Sequence, residues 1–216
     1  MSTVEHNHHA VTRQAANDTG GPQASASYLA PIEKPKSPMM RIMYRFARRQ
    51  FGMVPRPFSV FCARMPLAFG NFYGKVSKLD KKLQLSADTA TLVRERVKST
   101  NACLWCMDAG RWYAINKTPH ILPKLDALHE YRASPLFDDS ERAALDFAGE
   151  LTDSKHVSPE TFAQLSRHYP EREICEIVWL IASEHLYNIS NHGLNIGSDG
   201  LCDISKRPQS AALRAS

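Results

Sequence analysis

No run of apolar residues in this chain approaches the roughly 18 to 20 that a membrane span needs, and residues 1–23 hold neither the basic nor the apolar stretch of a secretory leader. The cytoplasm is therefore the expected compartment. Alternating runs of β-branched residues are scarce too, which argues against a sheet. The five cysteines are an odd count without the regular spacing of a disulfide scaffold. Cys62, Cys175 and Cys202 are scattered, and only Cys103 and Cys106 stand at C-x-x-C spacing. Acidic residues are missing between positions 34 and 64, where eight basic ones fall: Lys34, Lys36, Arg41, Arg45, Arg48, Arg49, Arg56 and Arg64. The net charge of +5 thus belongs mainly to an N-terminal arm.

What is present reads as an all-α chain of packed helices joined by short polar turns. Residues 1–37, rich in Ser, Thr, Asn, Gly, Pro and Ala, read as a disordered tail. His6, His8 and His9 in it could take up a metal adventitiously, against the plainer reading of a His-rich tail and nothing more. Residues 38–57 read as a basic amphipathic arm with Met39, Ile42, Met43, Phe46 and Ala47 on one face and arginines opposite. Such an arm could lie on an anionic membrane or on nucleic acid, or bind another acidic partner; the plainer reading packs it on its own or a neighbouring subunit. From 58 to 205 a helical domain is expected, with 206–216 as a flexible tail. Phe58, Phe61, Met65, Phe69 and Phe72 recur at steps of three and four and read as core. Ser86 is a cap for a helix over 87–100, which Asn101 stops. Further helices are expected over 124–131, from Asp139 or Ser140 to 151, from Ser158-Pro159 to 168, and from Pro170-Glu171 to 195.

If a helix begins near Cys103, both sulfurs share one face close to unpaired backbone N–H groups, where the positive helix end favours a thiolate. Such a pair can cycle between dithiol and disulfide without rearranging the fold. Two other readings stay open: half of a zinc site, although no second cysteine pair completes it, and two buried cysteines acting as small apolar residues. A second cluster lies on the last helix. There the stripe Ile174, Val178, Ile181 continues onto His185, Asn188, His192 and Asn195, and the stripe Ile177, Leu180 onto Glu184 and Asn191. A buried polar face lines a pocket, a subunit interface or a satisfied internal network; in the first case Glu184, His185, Asn188 or His192 could serve a thiol as base.

The segment Val97-Lys98-Ser99 with Asn101-Ala102-Cys103-Leu104-Trp105-Cys106-Met107-Asp108-Ala109, followed by Ala144-Leu145-Asp146-Phe147-Ala148 and Glu173-Ile174-Cys175-Glu176-Ile177-Val178, resembles the AhpD-like, or carboxymuconolactone decarboxylase, family. The resemblance covers residues 58–201. It implies an AhpD-like helical bundle that forms homo-oligomers, often trimers or hexamers, and a thiol peroxidase or disulfide reductase activity. It also implies Cys103 and Cys106 as catalytic residues, a small-molecule peroxide or disulfide as substrate, and a thiol protein or small thiol as reductant. Neither cofactor nor metal is expected, and neither nucleic acid nor membrane is the expected partner. The family's proton relay is a Glu twelve residues before the first Cys and a His four after the second. Here those positions are Thr91 and Gly110, so Glu95, one turn along the same face, and His185 or His192 are the expected stand-ins. The family also includes decarboxylases of lactone acids, which do not depend on a C-x-x-C pair. A helical binding protein with a basic arm is the other alternative.

Overall fold

Capping residues set most of the helix boundaries. The structure is a computed structural model that describes residues 26–202. In chain order its helices are α1 (Pro38–Phe51), α2 (Pro66–Ala68), α3 (Gly74–Asp80), α4 (Ala87–Thr100), α5 (Leu104–Lys117), α6 (Leu122–Asp126), α7 (Asp139–Ser154), α8 (Pro159–Ser166) and α9 (Glu171–Gly193). Short π-helical turns occupy Pro57–Cys62 and Phe69–Tyr73. No strand occurs among the described residues, in agreement with the all-α reading. The helix expected over 124–131 is instead the short α6 followed by a 3₁₀ turn, Leu128–Glu130. No helix among the described residues is long and apolar enough to cross a membrane.

Helix α4 is the hub. Ser86 Oγ accepts the Thr89 backbone N–H at 3.0 Å and so satisfies one of the free donors of its first turn. Its Val93 and Val97 pack against Ala144, Phe147 and Ala148 of α7 and Ile177, Leu180 and Ile181 of α9. Each such Val, Leu, Ile or Phe, taken fully out of water, stabilises the fold by about 1.5–3 kcal/mol. Leu92, on another face of α4, joins Ala114 of α5 and Leu145 of α7 in a second cluster. The cap of α7 is Asp138, one residue before the expected Asp139 and two before Ser140. Its carboxylate accepts the Glu141 N–H at 2.9 Å, and Glu141 reciprocates to the Asp138 N–H.

The N-terminal part departs most from expectation. Residues 1–25, with His6, His8 and His9, and residues 203–216 lie outside the described residues. Residues 26–37, read above as tail, are held against the body instead: the Tyr28 N–H donates to the Leu194 carbonyl and the Ile32 N–H to that of Ser59. The polar composition of this stretch hid the fact that its backbone could find partners elsewhere. Helix α1 packs on its own chain through Met40, Tyr44 and Ala47, and Phe51 stacks on Trp112 of α5 at 4.6 Å between ring centres. Ile42 and Phe46, assigned to the inner face, are more than half exposed, because the buried stripe runs through 40, 44 and 47. Met65 and Phe72 are exposed as well, since the π-helical turns break the even helical period that placed them inside.

The capping box yields a prediction with a sign. Hydrogen bonds from the Ser140 hydroxyl and the Glu141 backbone hold the Asp138 carboxyl below its ordinary pKa. Its contribution is therefore present above the unfolded-state pKa and lost as pH falls through the folded one. Asp138→Ala is expected to lower stability by about 1 kcal/mol at pH 7. In urea titrations that difference should fade below about pH 4.

Candidate active site

Between α4 and α5 the chain reverses in three residues. Asn101 ends α4, Ala102 adopts a left-handed conformation with φ 51°, and Cys103 is the extended N-cap of α5. Cys103 and Cys106 are joined by a disulfide at this helix start, with their Cα atoms 5.2 Å apart. Both are almost fully buried.

The amides of α9 close over the sulfurs. Asn188 Nδ2 donates to Cys106 Sγ at 3.2 Å, and Asn191 Nδ2 lies 3.4 Å from Cys106 Sγ and 3.7 Å from Cys103 Sγ. Donors so placed favour a thiolate when the pair is reduced. Asn188 also donates to Glu184 Oε1 at 2.9 Å, and Glu184 pairs with Arg94 of α4 at 3.1 Å. Arg94 in turn pairs with Asp80 at 2.7 Å. Glu184, Asn188 and Asn191 of α9 thus belong to a network with Arg94 and Asp80 that ends on the sulfurs, whereas the neighbouring His185 keeps a buried Nε2 without a partner. The buried stripe of α9 runs through Ile177, Ile181, Glu184, Asn188 and Asn191, whereas Val178 and His192, assigned to the buried face, are exposed.

The histidines do something other than expected. Asn101 Nδ2 donates to Asn188 Oδ1 at 2.9 Å and lies 3.3 Å from His185 Nδ1. His192 Nε2 lies 2.8 Å from the Asn101 carbonyl. Both imidazoles therefore brace the residue that ends α4, and neither contacts a sulfur. Burial and the nearby Lys155 charge push the His185 pKa below its ordinary value, against a smaller opposite effect of Glu184. Thr91 bonds back to its own helix through the Ala87 carbonyl.

Glu95 is buried and bonded to Lys98 Nζ at 2.7 Å, a lysine that sequence reasoning passed over although it stands one turn along the same helix. The pair occupies the space left by Gly110. A Cβ at that position would lie 1.9 Å from Glu95 Oε1 and 2.7 Å from Lys98 Nζ. A mid-helix glycine costs about 1 kcal/mol relative to alanine, so its presence here is explained by what fills the gap.

Cys106, and not Cys103, forms part of the wall of a cavity of about 350 Å³. Its other walls are aromatic: Phe58, Phe61 and Phe69 from the π-helical turns, with Tyr73, Trp105 and Tyr187. Phe69, Tyr73 and Tyr187 form a run of rings, with ring centres 5.0 and 5.1 Å apart. Lys98 and Glu184 are the charged groups in this wall. Burial drives the Tyr73 and Tyr187 phenols and the Cys62 thiol, which also line it, to about 12, so all three stay neutral near pH 7. Trp105 is fixed by its indole N–H, which donates to the buried Asp199 at 2.7 Å; Asp199 also accepts the Arg56 backbone N–H. Among the described residues no group of three or more His, Cys, Asp or Glu is arranged to hold a metal ion.

Removing the Asn188 amide leaves Glu184 and Asn101 each short of a buried partner. Asn188→Ala is expected to cost about 2 kcal/mol in urea unfolding, against less than about 0.5 kcal/mol for a change at an exposed polar position such as Asp153→Asn.

No family profile matches the sequence. The uncharacterized protein YnjA of Escherichia coli is 29% identical over 168 residues, which span 74% of this chain and 88% of that protein. Among solved structures, a cysteine-to-alanine variant of the debrominase Bmp8 in complex with 2,3,4-tribromopyrrole superposes with a TM-score of 0.67 at 21% identity, over 83% of this chain and 95% of that one. An uncharacterized peroxidase-related protein of Ralstonia eutropha, described as an alkylhydroperoxidase AhpD core, gives a TM-score of 0.66 at 21% identity, over 84% and 97%. With its helix order, its C-x-x-C junction and these likenesses together, the chain has the all-α fold of the AhpD-like proteins.

Proposed function

We propose that the chain is a thiol-dependent oxidoreductase in which Cys106 and Cys103 reduce a small apolar substrate, an organic hydroperoxide or a disulfide. The observation that carries this reading is the position of Cys106, in the wall of an aromatic cavity and bonded to a partner thiol at a helix start. A sulfur in that wall meets the substrate first. The Cys106 thiolate attacks one oxygen of the peroxide, the O–O bond breaks, and the alcohol leaves. Cys103 then displaces hydroxide from the Cys106 sulfenic acid, forming the disulfide and water. A dithiol protein or small thiol restores both thiols by exchange. The apolar walls favour an organic peroxide over hydrogen peroxide, because a small polar oxidant gains nothing from rings it cannot cover. Two further elements belong to this reading: a cytoplasmic location, where such a reductant is at hand, and self-association. Ile42, Phe46, Leu67 and Ile189, all more than half exposed, would be covered by self-association.

A second reading draws on the same dithiol. The Bmp8 likeness and the aromatic lining support reductive dehalogenation of a small aromatic ring, in which two thiols become a disulfide while a carbon–halogen bond is replaced by carbon–hydrogen and halide leaves.

The test is consumption of cumene hydroperoxide, hydrogen peroxide and a bromopyrrole in the presence of dithiothreitol. Turnover is expected with the organic hydroperoxide, and Cys103→Ser and Cys106→Ser should each reduce it at least 100-fold. In a single turnover Cys103→Ser should still accumulate a sulfenic acid that dimedone traps at Cys106, whereas Cys106→Ser should accumulate none. Undiminished turnover in either variant contradicts the reading, and bromide release without peroxide consumption selects the second.

A further inference from the structure

The family's relay imidazole would stand at position 110, and in this chain the space beside that position holds an ion pair instead. Lys98 and Glu95 lie one turn apart on α4, and their side chains keep only 12% and 11% of their exposure. Burial alone would strip the charge from an isolated lysine. Here burial pulls the Lys98 pKa down, but the Glu95 and Glu184 carboxylates more than offset it, so that the ammonium is held above its ordinary value. Glu95 uses one of the three ammonium protons. The Lys98 side chain also reaches the wall of the cavity that contains Cys106. Glu95 lines a second cavity, of about 410 Å³, together with Arg96, Arg111 and His129. The pair therefore links the cavity that holds Cys106 to a second one lined by Glu95.

We propose that Lys98 is the cation that keeps the Cys106 sulfur ionised and returns a proton to the leaving oxygen, and that Glu95 is the residue that positions it in the space Gly110 leaves open. This rests on the peroxidase reading for its second half only. The charged and titratable groups that share the cavity wall with Cys106 are Lys98 from α4, Glu184 and Tyr187 from α9, and Cys62 and Tyr73 from the N-terminal turns; Cys103 is its bonded partner, and Arg94 and Glu95 of α4 stand behind this wall as the partners of Glu184 and Lys98. Arg94 is matched by Asp80 and Glu184, so Lys98 is the cation with protons to spare toward the cavity. In the step itself the Cys106 thiolate and the hydroperoxide form an S–O bond as the O–O bond breaks. The alkoxide takes a proton from the Lys98 ammonium and leaves as the alcohol. The neutral amine is then reprotonated from water through the Glu95 side.

The experiment reads the iodoacetamide alkylation of Cys106 against pH in the reduced full-length protein, by peptide mass spectrometry. In the unaltered chain the midpoint should fall below the ordinary thiol value of about 8.5. Lys98→Met should raise it by about 1 to 3 pH units, and Gly110→Ala, by evicting the pair, should raise it in the same direction. Lys98→Arg should keep the low midpoint yet lose peroxide turnover at least tenfold, because a guanidinium stays charged but does not give up its proton. An unchanged midpoint in Lys98→Met overturns the proposal. So does an ordinary midpoint in the unaltered chain, which requires no variant to fold. If Lys98→Met moves the midpoint while no peroxide is consumed by any form, the peroxidase reading fails and the electrostatic role of Lys98 stands.

Discussion

The site depends on a reversal of three residues. Helix α4 must end and α5 must begin within Asn101, Ala102 and Cys103 for a C-x-x-C pair to sit at a helix start and still face the interior. A non-glycine residue in the left-handed region costs about 1–2 kcal/mol, and Ala102 accepts that cost. Asn101 offsets it. Its side chain donates to Asn188 and its carbonyl meets His192, so the end of α4 is fastened to α9 on two sides. The same fastening brings the Asn188 and Asn191 amides onto the sulfurs. Backbone strain, helix packing and sulfur chemistry are in this way one arrangement.

Around that arrangement the fold divides labour. The hydrophobic contacts of α4 with α7 and α9 build a large buried cluster and leave one end of α9 free to be polar. The N-terminal unit supplies the apolar walls. Its π-helical turns widen the backbone where Phe58, Phe61 and Phe69 must reach the cavity, a use of irregular helix commonly found at functional sites. Asp199, near the C-terminal end of the described residues, ties Arg56 to Trp105 and so locks those walls to the cysteine segment.

Much of this was legible in the residues because the signals were local. Ser86, Ser158-Pro159 and Pro170-Glu171 mark helix starts through the chemistry of their own side chains, and α4 begins and ends where those signals put it. The cysteine pair announces itself by spacing. What escaped was non-local. The buried place of Lys98 depends on a glycine on the next helix leaving room for it, a relation between positions 95, 98 and 110 that no single-helix pattern carries. His185 and His192 attracted attention as the available imidazoles. A rotation of about 100° per residue instead brings Asn188 and Asn191 onto the sulfurs and turns the histidines toward Asn101. Residues 26–37 looked like tail because composition does not reveal that a backbone N–H will find the carbonyl of Leu194.

The central claim is that Cys103 and Cys106 form a reversible redox couple, and its most direct test is the mass of the tryptic peptide 99–111. After one equivalent of organic hydroperoxide, that peptide should lose two hydrogens and gain no oxygen, and a dithiol reductant should restore them. A peptide that keeps both thiols after peroxide, or that gains oxygen which the reductant does not remove, would contradict the account.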